Sequence, residues 1–246
     1  MTTVGIYSSN YYGGTVEEYP QAVERVMFTD RSHPIEPDDP RLRTRWWKPS
    51  RDRFWGRIAA AWWGYHPELA MPGVDVTIAI GNNFRIQVPD LAQRCLDALG
   101  DDDLLVMRHH QRDCIYDERD ASRRHWRFTG SNQNLSRQVA VYRAAGHPRH
   151  WGLFHCGMLV RRDTPAMRAF NEAWFAEYRR WSSQNQLSLP PLLRKSDLKW
   201  HAFPDVGPWR AQPYEDGWVR WRDKVGHPRE YSAIVPAIEE TPTQRP

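Results

Sequence analysis

Between His109 and Glu118 the chain places two histidines, an arginine, a cysteine, a tyrosine and three carboxylates in ten residues. Imidazole, guanidinium and carboxylate groups held together can bind an anion, orient it and move a proton. The same mix can also build a salt-bridged turn around a buried histidine. The block follows Leu104–Met107, a short apolar run that reads as a buried strand. In open α/β sheets, ligands collect at the carboxyl ends of strands, where this block falls.

Three further polar stretches follow strand-like runs. Val4–Tyr7 opens onto Ser8–Gly14, Val23–Phe28 ends at Thr29-Asp30, and the β-branched run Asp75–Ile80 ends at Gly81-Asn82-Asn83. A fifth polar stretch, Ser182–Ser188, lies between two helical patterns; its amides can hold sugar hydroxyls or cap the next helix. Helical spacing marks Phe54–Tyr65, Pro89–Leu99 (stopped by Gly100), Leu135–Ala145, Pro165–Trp181 and Leu187–Leu193. Phe154–Val160 reads as another strand. Arg31–Arg45 reads as a charged loop or lid, and Asp120–Gln133 as a mobile loop. Strands alternating with helices predict an α/β domain with a mostly parallel central sheet. Residues 1–203 form that single domain. Residues 204–246 form a Trp-, Arg- and Pro-rich extension with a disordered end.

Composition narrows the partners. A net charge of +4, carried mostly by arginine, suits an anionic ligand such as a nucleoside diphosphate or a nucleic acid. Arg45-Trp46-Trp47-Lys48 and Trp62-Trp63 interleave or pair aromatics that can stack bases or sugars, or simply fill core. Cys95, Cys114 and Cys156 have no CxxC spacing, which argues against disulfides and a structural zinc site. His109, His110 and Asp113 could supply metal ligands, but adjacent histidines rarely point at one ion. No apolar run approaches the roughly 18 residues of a membrane span, and no signal peptide is expected. The unspaced, odd-numbered cysteines fit a reducing cytoplasm. No GxGxxG, Walker loop or GxSxG is present.

The order of these blocks resembles a family of glycosyltransferase-like domains, long a domain of unknown function with bacterial and plant members. Val26–Asp30 is similar to its "FTD" strand end, and Arg43–Lys48 to its basic Arg-x-Arg-x-x-Lys segment. Ile78–Ile86 resembles its "IWIDGN" strand end. His109–Glu118 is similar to "HPxRdCiYeE". Gln138, Tyr142, Gly152-Leu153 and Leu159–Arg162 follow "Q…Y…GL…vRR", and Ser183–Ser188 resembles "sRDQLS". The chain departs where Gly81 replaces the Asp of "IDGN", Asn185 the Asp of "RDQ", and Gln184 its Arg.

The resemblance implies a GT-A-like (Rossmann-like) fold and transfer of a sugar from a nucleotide-diphosphate sugar, UDP favoured, to a hydroxyl. It implies that Ser8, Ser9, Asn10 and Asp30 hold the nucleoside, and that Arg43, Arg45 and Lys48 face the diphosphate. Asn82 and Asn83 would stand at the metal motif. A divalent Mn²⁺ or Mg²⁺ is in question because the expected carboxylate is Gly81; Asn83 and Asp30 lie near its position. His109, Arg112, Tyr116 and Gln184 would wall the sugar or acceptor, and Asn185 and Gln186 would bind the transferred sugar. Asp117 or Glu118 would be the base of an inverting reaction. The acceptor is a hydroxylated base in phage-type modified DNA, or a glycan. The alternatives are an inactive carbohydrate- or nucleotide-binding module of the same fold, and a nucleic-acid-binding protein without sugar chemistry.

Overall fold

Along Leu104–Met107 the side chains alternate between two apolar environments. Leu105 and Met107 enter a core with Ile6, Ile78, Leu91 and Leu99, while Leu104 and Val106 enter a second with Phe170, Trp174 and Leu189. A strand apolar on both sides belongs inside a sheet covered on both faces. The structure, a computed structural model, describes residues 2–10, 25–29, 42–46, 61–81, 84–86, 88–109, 111–124, 134–203, 219–221 and 231–233.

The main sheet contains β1 (Val4–Asn10), β2 (Arg25–Thr29), β3 (Leu42–Trp46), β4 (Val76–Ile80), β6 (Leu104–Arg108), β7 (Phe154–Arg162) and β8 (Trp200–Ala202). Its order is β3-β2-β1-β4-β7-β6-β8. Neighbours pair in parallel except at β7, which runs antiparallel to both β4 and β6. The protein is therefore α/β with a mostly parallel sheet. A small antiparallel sheet joins β5 (Phe84–Ile86) to β9 (Val219–Trp221), which also pairs with β10 (Tyr231–Ala233).

Helix α1 (Pro67–Ala70) is a single turn. Helix α2 (Leu91–Leu99) covers the first core. It buries Leu91, Cys95, Ala98 and Leu99, the i, i+4, i+7, i+8 stripe of an amphipathic helix. Gly100, at φ +53°, ends it, and its N–H reaches Leu96 O. On the opposite face lies α5 (Pro165–Arg180), started by Thr164, whose hydroxyl accepts from Met167 N–H. It buries Met167, Phe170, Asn171, Trp174 and Phe175. A third apolar cluster ties α3 (Ile115–Ser122), α4 (Leu135–Ala144) and α6 (Asn185–Lys195) together through Ile115, Tyr116, Leu135, Val139, Leu153 and Leu187.

Three expectations are corrected. Residues 42–46 form β3 rather than part of a loop or lid. The alternation of Leu42-Arg43-Thr44-Arg45-Trp46 is the strand signal that its charges obscured, and β2 supplies the paired backbone. Asp120–Ser122 continue α3 instead of opening a loop. The Ser182–Ser188 stretch is helical from Asn185, so α6 starts two residues before the apolar run that announced it. Helix α6 also contains Pro190 and Pro191, which have no N–H to give the carbonyls four residues earlier, those of Gln186 and Leu187.

Candidate functional site

The carboxyl ends of β1, β4 and β6 share one edge of the sheet with the amino end of β7. There the β6–β7 ladder slips: Val106 faces Leu159, whereas Met107 faces His155. Cys156, Gly157 and Met158 are passed over by β6. Met158 still pairs with Ile80, and Gly157 O accepts the N–H of Gly81 at 2.7 Å. Bulges of this kind re-aim side chains at the rims of sheets.

From this edge the chain runs through His109 into α3, and a buried polar hub forms around Glu118. Glu118 is 3% exposed. Its Oε2 accepts from Arg112 Nε at 2.6 Å, and its Oε1 accepts from Gln184 Nε2 at 2.6 Å and Ser122 Oγ at 2.9 Å. His109 Nδ1 accepts the backbone N–H groups of Gln111 and Arg112, both at 3.2 Å. That leaves the proton on Nε2, which lies 3.9 Å from Glu118 Oε2. The hub continues away from the edge. Ser182 Oγ donates to Gln138 Oε1, Gln138 Nε2 donates to Tyr142 OH, and Tyr142 donates to Glu177. Burial and the Glu177 carboxylate both push the Tyr142 phenol up, so it stays a donor.

His109, Arg112, Glu118 and Gln184 are thus one unit, and Asn185 and Gln186 follow Gln184 in the first turn of α6. Gln184 stands at the N-cap position, yet its side chain does not cap the helix; the amide is spent on Glu118 and Ser122. Asn185 and Gln186 are half-buried. The other residues lie elsewhere or outside the described set. Asp117 points to the outer flank, where it pairs with Arg149 NH2 at 2.9 Å. Tyr116 is buried and its hydroxyl donates to His147 O at 2.6 Å, while Arg143 stacks over its ring at 4.7 Å. Ser8 is buried within β1, and Ser9 and Asn10 end that strand. Arg43 and Arg45 lie on β3, paired with Val26 and Phe28. Asp30, Lys48, Asn82 and Asn83 fall outside the described residues.

The resemblance puts a carboxylate for a divalent ion at the position of Gly81, directly after β4, and a hard cation of this kind takes oxygen ligands. Gly81 offers no ligand side chain there, and the hub carboxylate has both oxygens engaged. The described residues at this end of β4 do not fit such an ion.

Sequence reasoning missed Ser122 and His155, and had Ser182 only as the first residue of a polar stretch. Ser122 stands four residues after Glu118, a helical pair visible once α3 is extended. His155 carried no distinguishing signal. Its ring is sheltered beside the bulge, and burial lowers its pKa to about 4. His147 is also lowered to about 4, first by burial and then by Arg194 and Lys195. Both rings are neutral in the fold, and each takes up its proton more readily once unfolded. Their contribution is complete above the ordinary value of 6.5 and is lost as the pH falls toward about 4. Urea titrations across that window should show a loss of a few kcal/mol. His147→Gln and His155→Gln should each flatten the slope; an unchanged slope in both would refute the assignment.

Residues 96–206, from within α2 to beyond β8, contain the whole Glu118 hub and the start of α6. This stretch matches the TOD1/MUCI70, glycosyltransferase-like domain. The glycosyltransferase-like match thus covers the hub and leaves out β1 to β4, where the nucleoside-facing loops of the resemblance lie. Two solved structures are similar over a larger part of the chain. One is the WbbM bifunctional glycosyltransferase in its apo form, at 10% identity and a TM-score of 0.43, covering 78% of this chain and 37% of that one. The chain therefore spans just over a third of that protein's length. The other is mouse xyloside xylosyltransferase 1, also apo, at 7% identity and a TM-score of 0.42, covering 80% of this chain and 84% of that one. No curated protein matches the sequence. Among the described residues, no helix is long and apolar enough to cross a membrane.

Proposed function

We propose that this protein is a GT-A-like glycosyltransferase, taking a sugar from a nucleotide-diphosphate sugar, UDP favoured, to a hydroxyl acceptor. The observation that carries this reading is the glycosyltransferase-like match over 96–206, which contains the hub and its adjoining helix start. In this reading Ser8, Ser9, Asn10 and Asp30 hold the nucleoside, and Arg43, Arg45 and Lys48 face the diphosphate. Asn82 and Asn83 stand in sequence where the resemblance has its metal motif. Fixed positive charge stabilises the departing diphosphate.

Glu118 positions Arg112 and Gln184, and through Gln184 the first turn of α6. Asn185 and Gln186 then meet the transferred sugar, and the Gln186 carbonyl, relieved of its helical partner by Pro190, adds an acceptor for a sugar hydroxyl. An inverting reaction needs a carboxylate free to take the acceptor's proton. Among the described residues both oxygens of Glu118 are engaged, whereas Arg149 holds only Oδ1 of the part-exposed Asp117, so Asp117 is the base an inverting route would use and Gln186 lines a retaining one. The acceptor is a hydroxylated base in modified DNA or a glycan, and the setting is cytoplasmic. Residues 1–203 form the transferase domain, and the extension beyond 204 returns to it through β9, which pairs with β5 on one side and β10 on the other.

Thermal shift with a panel of nucleotide sugars tests this. A ligand that binds only the folded state raises Tm by mass action, and slow donor hydrolysis without acceptor identifies a working transferase. A shift without hydrolysis supports the second reading, a binding module, which Gly81 and Asn185 favour by removing two carboxylates. No shift with any nucleotide sugar rejects the transferase and leaves a module that binds a glycan, for which glycans and DNA are the next ligands. A DNA acceptor predicts binding that weakens steeply with salt.

A further inference from the structure

Where the outer flank of α3 meets the third apolar cluster, three residues of different chemistry come together: Cys114 is buried in that cluster, while Asp117 and His150 reach solvent. Cys114, Asp117 and His150 each bring one potential ligand atom within 4.8 Å of the others. Cys114 immediately precedes α3, Asp117 is one turn later, and His150 comes from the turn between α4 and β7. Thirty-six positions separate Cys114 from His150, which is why sequence spacing gave no metal signal.

We propose that Cys114, Asp117 and His150 form a site for a borderline-soft divalent ion, with Zn²⁺ the best fit. Thiolate, imidazole and carboxylate are the zinc ligand set, and three protein ligands leave a fourth position for water. Asp113 supplies the outer support such sites use. Its Oδ1 lies 2.8 Å from His150 Nδ1, a bond that fixes the proton on Nδ1 and leaves Nε2 for the metal. His150 is held at φ +57°, the one left-handed non-glycine residue among those described. That backbone costs energy for any residue with a Cβ, and the Gly152 N–H on Asp113 O at 3.0 Å helps to hold the turn.

Tetrahedral zinc brings ligand atoms to roughly 3.5 Å from one another, so the side chains must close by about an ångström. His150 and Asp117 can do so, because their side chains are 56% and 41% exposed. Arg149 holds Asp117 Oδ1, which leaves Oδ2 to coordinate. Binding sends the Cys114 thiol proton to solvent. The ion would pin the turn at residues 147–152 to the first turn of the helix that carries Glu118. The proposal stands on these side chains alone and does not depend on sugar transfer.

Cobalt titration of the metal-stripped, full-length protein tests it. A thiolate-to-cobalt charge-transfer band saturating at one ion per chain, and displaced by Zn²⁺, is expected. His150→Ala changes an exposed side chain and should abolish the band while the circular dichroism stays native. Asp113→Asn should weaken binding by about 10–100-fold. Cys156→Ser should keep the band, and Cys114→Ser should lose it. No band in the wild type, as when cobalt is held by oxygens alone, or an undiminished band in His150→Ala, would overturn the proposal.

Discussion

Glu118→Ala is expected to lower stability by about 3–5 kcal/mol, the usual cost of removing one partner of a buried ion pair. The carboxylate is the common acceptor for Arg112, Gln184 and Ser122. Without it two buried donors and a guanidinium lose their acceptor, and each unsatisfied group carries its own desolvation cost. Glu118→Gln keeps the shape but sets an amide N–H₂ against donors that already point inward, so it should recover only part of the loss. Urea unfolding is the measure: the midpoint should fall with the slope unchanged. Arg112→Ala combined with Glu118→Ala should cost less than the sum of the two, because the groups share one bond. A loss under about 1 kcal/mol for Glu118→Ala, the size of one ordinary hydrogen bond, would remove Glu118 from the centre of the network.

Trp174→Ala should cost about as much, roughly 3–5 kcal/mol, through lost contacts and the cavity left behind. The indole is 1% exposed and meets Tyr65 edge-on at 4.9 Å. Its Nε1 also reaches α6, donating to Ser188 Oγ at 3.1 Å and approaching Asn185 O at 3.4 Å. Trp174→Phe separates these roles. It keeps most of the packing and loses the hydrogen bond, so its stability cost should be about 1 kcal/mol. The first turn of α6 loses its tether in both variants. Nucleotide-sugar affinity should therefore fall in Trp174→Phe by more than its small stability loss accounts for. Unchanged affinity in that variant would detach Asn185 and Gln186 from donor binding.

Much of the sheet was legible because its strands are short, mainly apolar runs that give way to polar stretches. Val4–Tyr7, Asp75–Ile80, Leu104–Met107 and Phe154–Val160 each overlap a strand of the structure. The reversal of β7 was not legible. A strand buried on both sides carries the same apolar run in either direction, and only the ladder register distinguishes them. Strand β3 was hidden by its arginines. At the site, the block His109–Glu118 stood out by its mix of groups, but the partition within it depended on helical phase. Asp117 and Glu118 are adjacent in sequence and about 100° apart on α3, so one faces solvent and Arg149 while the other faces the hub. The partners of Glu118 come from Arg112 and from a residue 66 positions away, Gln184, and no local pattern announces a contact of that span.

The place of β7 also governs the order in which the sheet can be completed. Both of its neighbours, β4 and β6, leave the ribosome before it does, and β8, the other neighbour of β6, leaves later still. Until Phe154–Arg162 emerges, β4 has one open edge and β6 has two. Open edges are templates for pairing with other chains, and domains assembled from distant strands expose them longest during synthesis. Loss of β7 would not trim this sheet at its margin; it would divide it into two pieces.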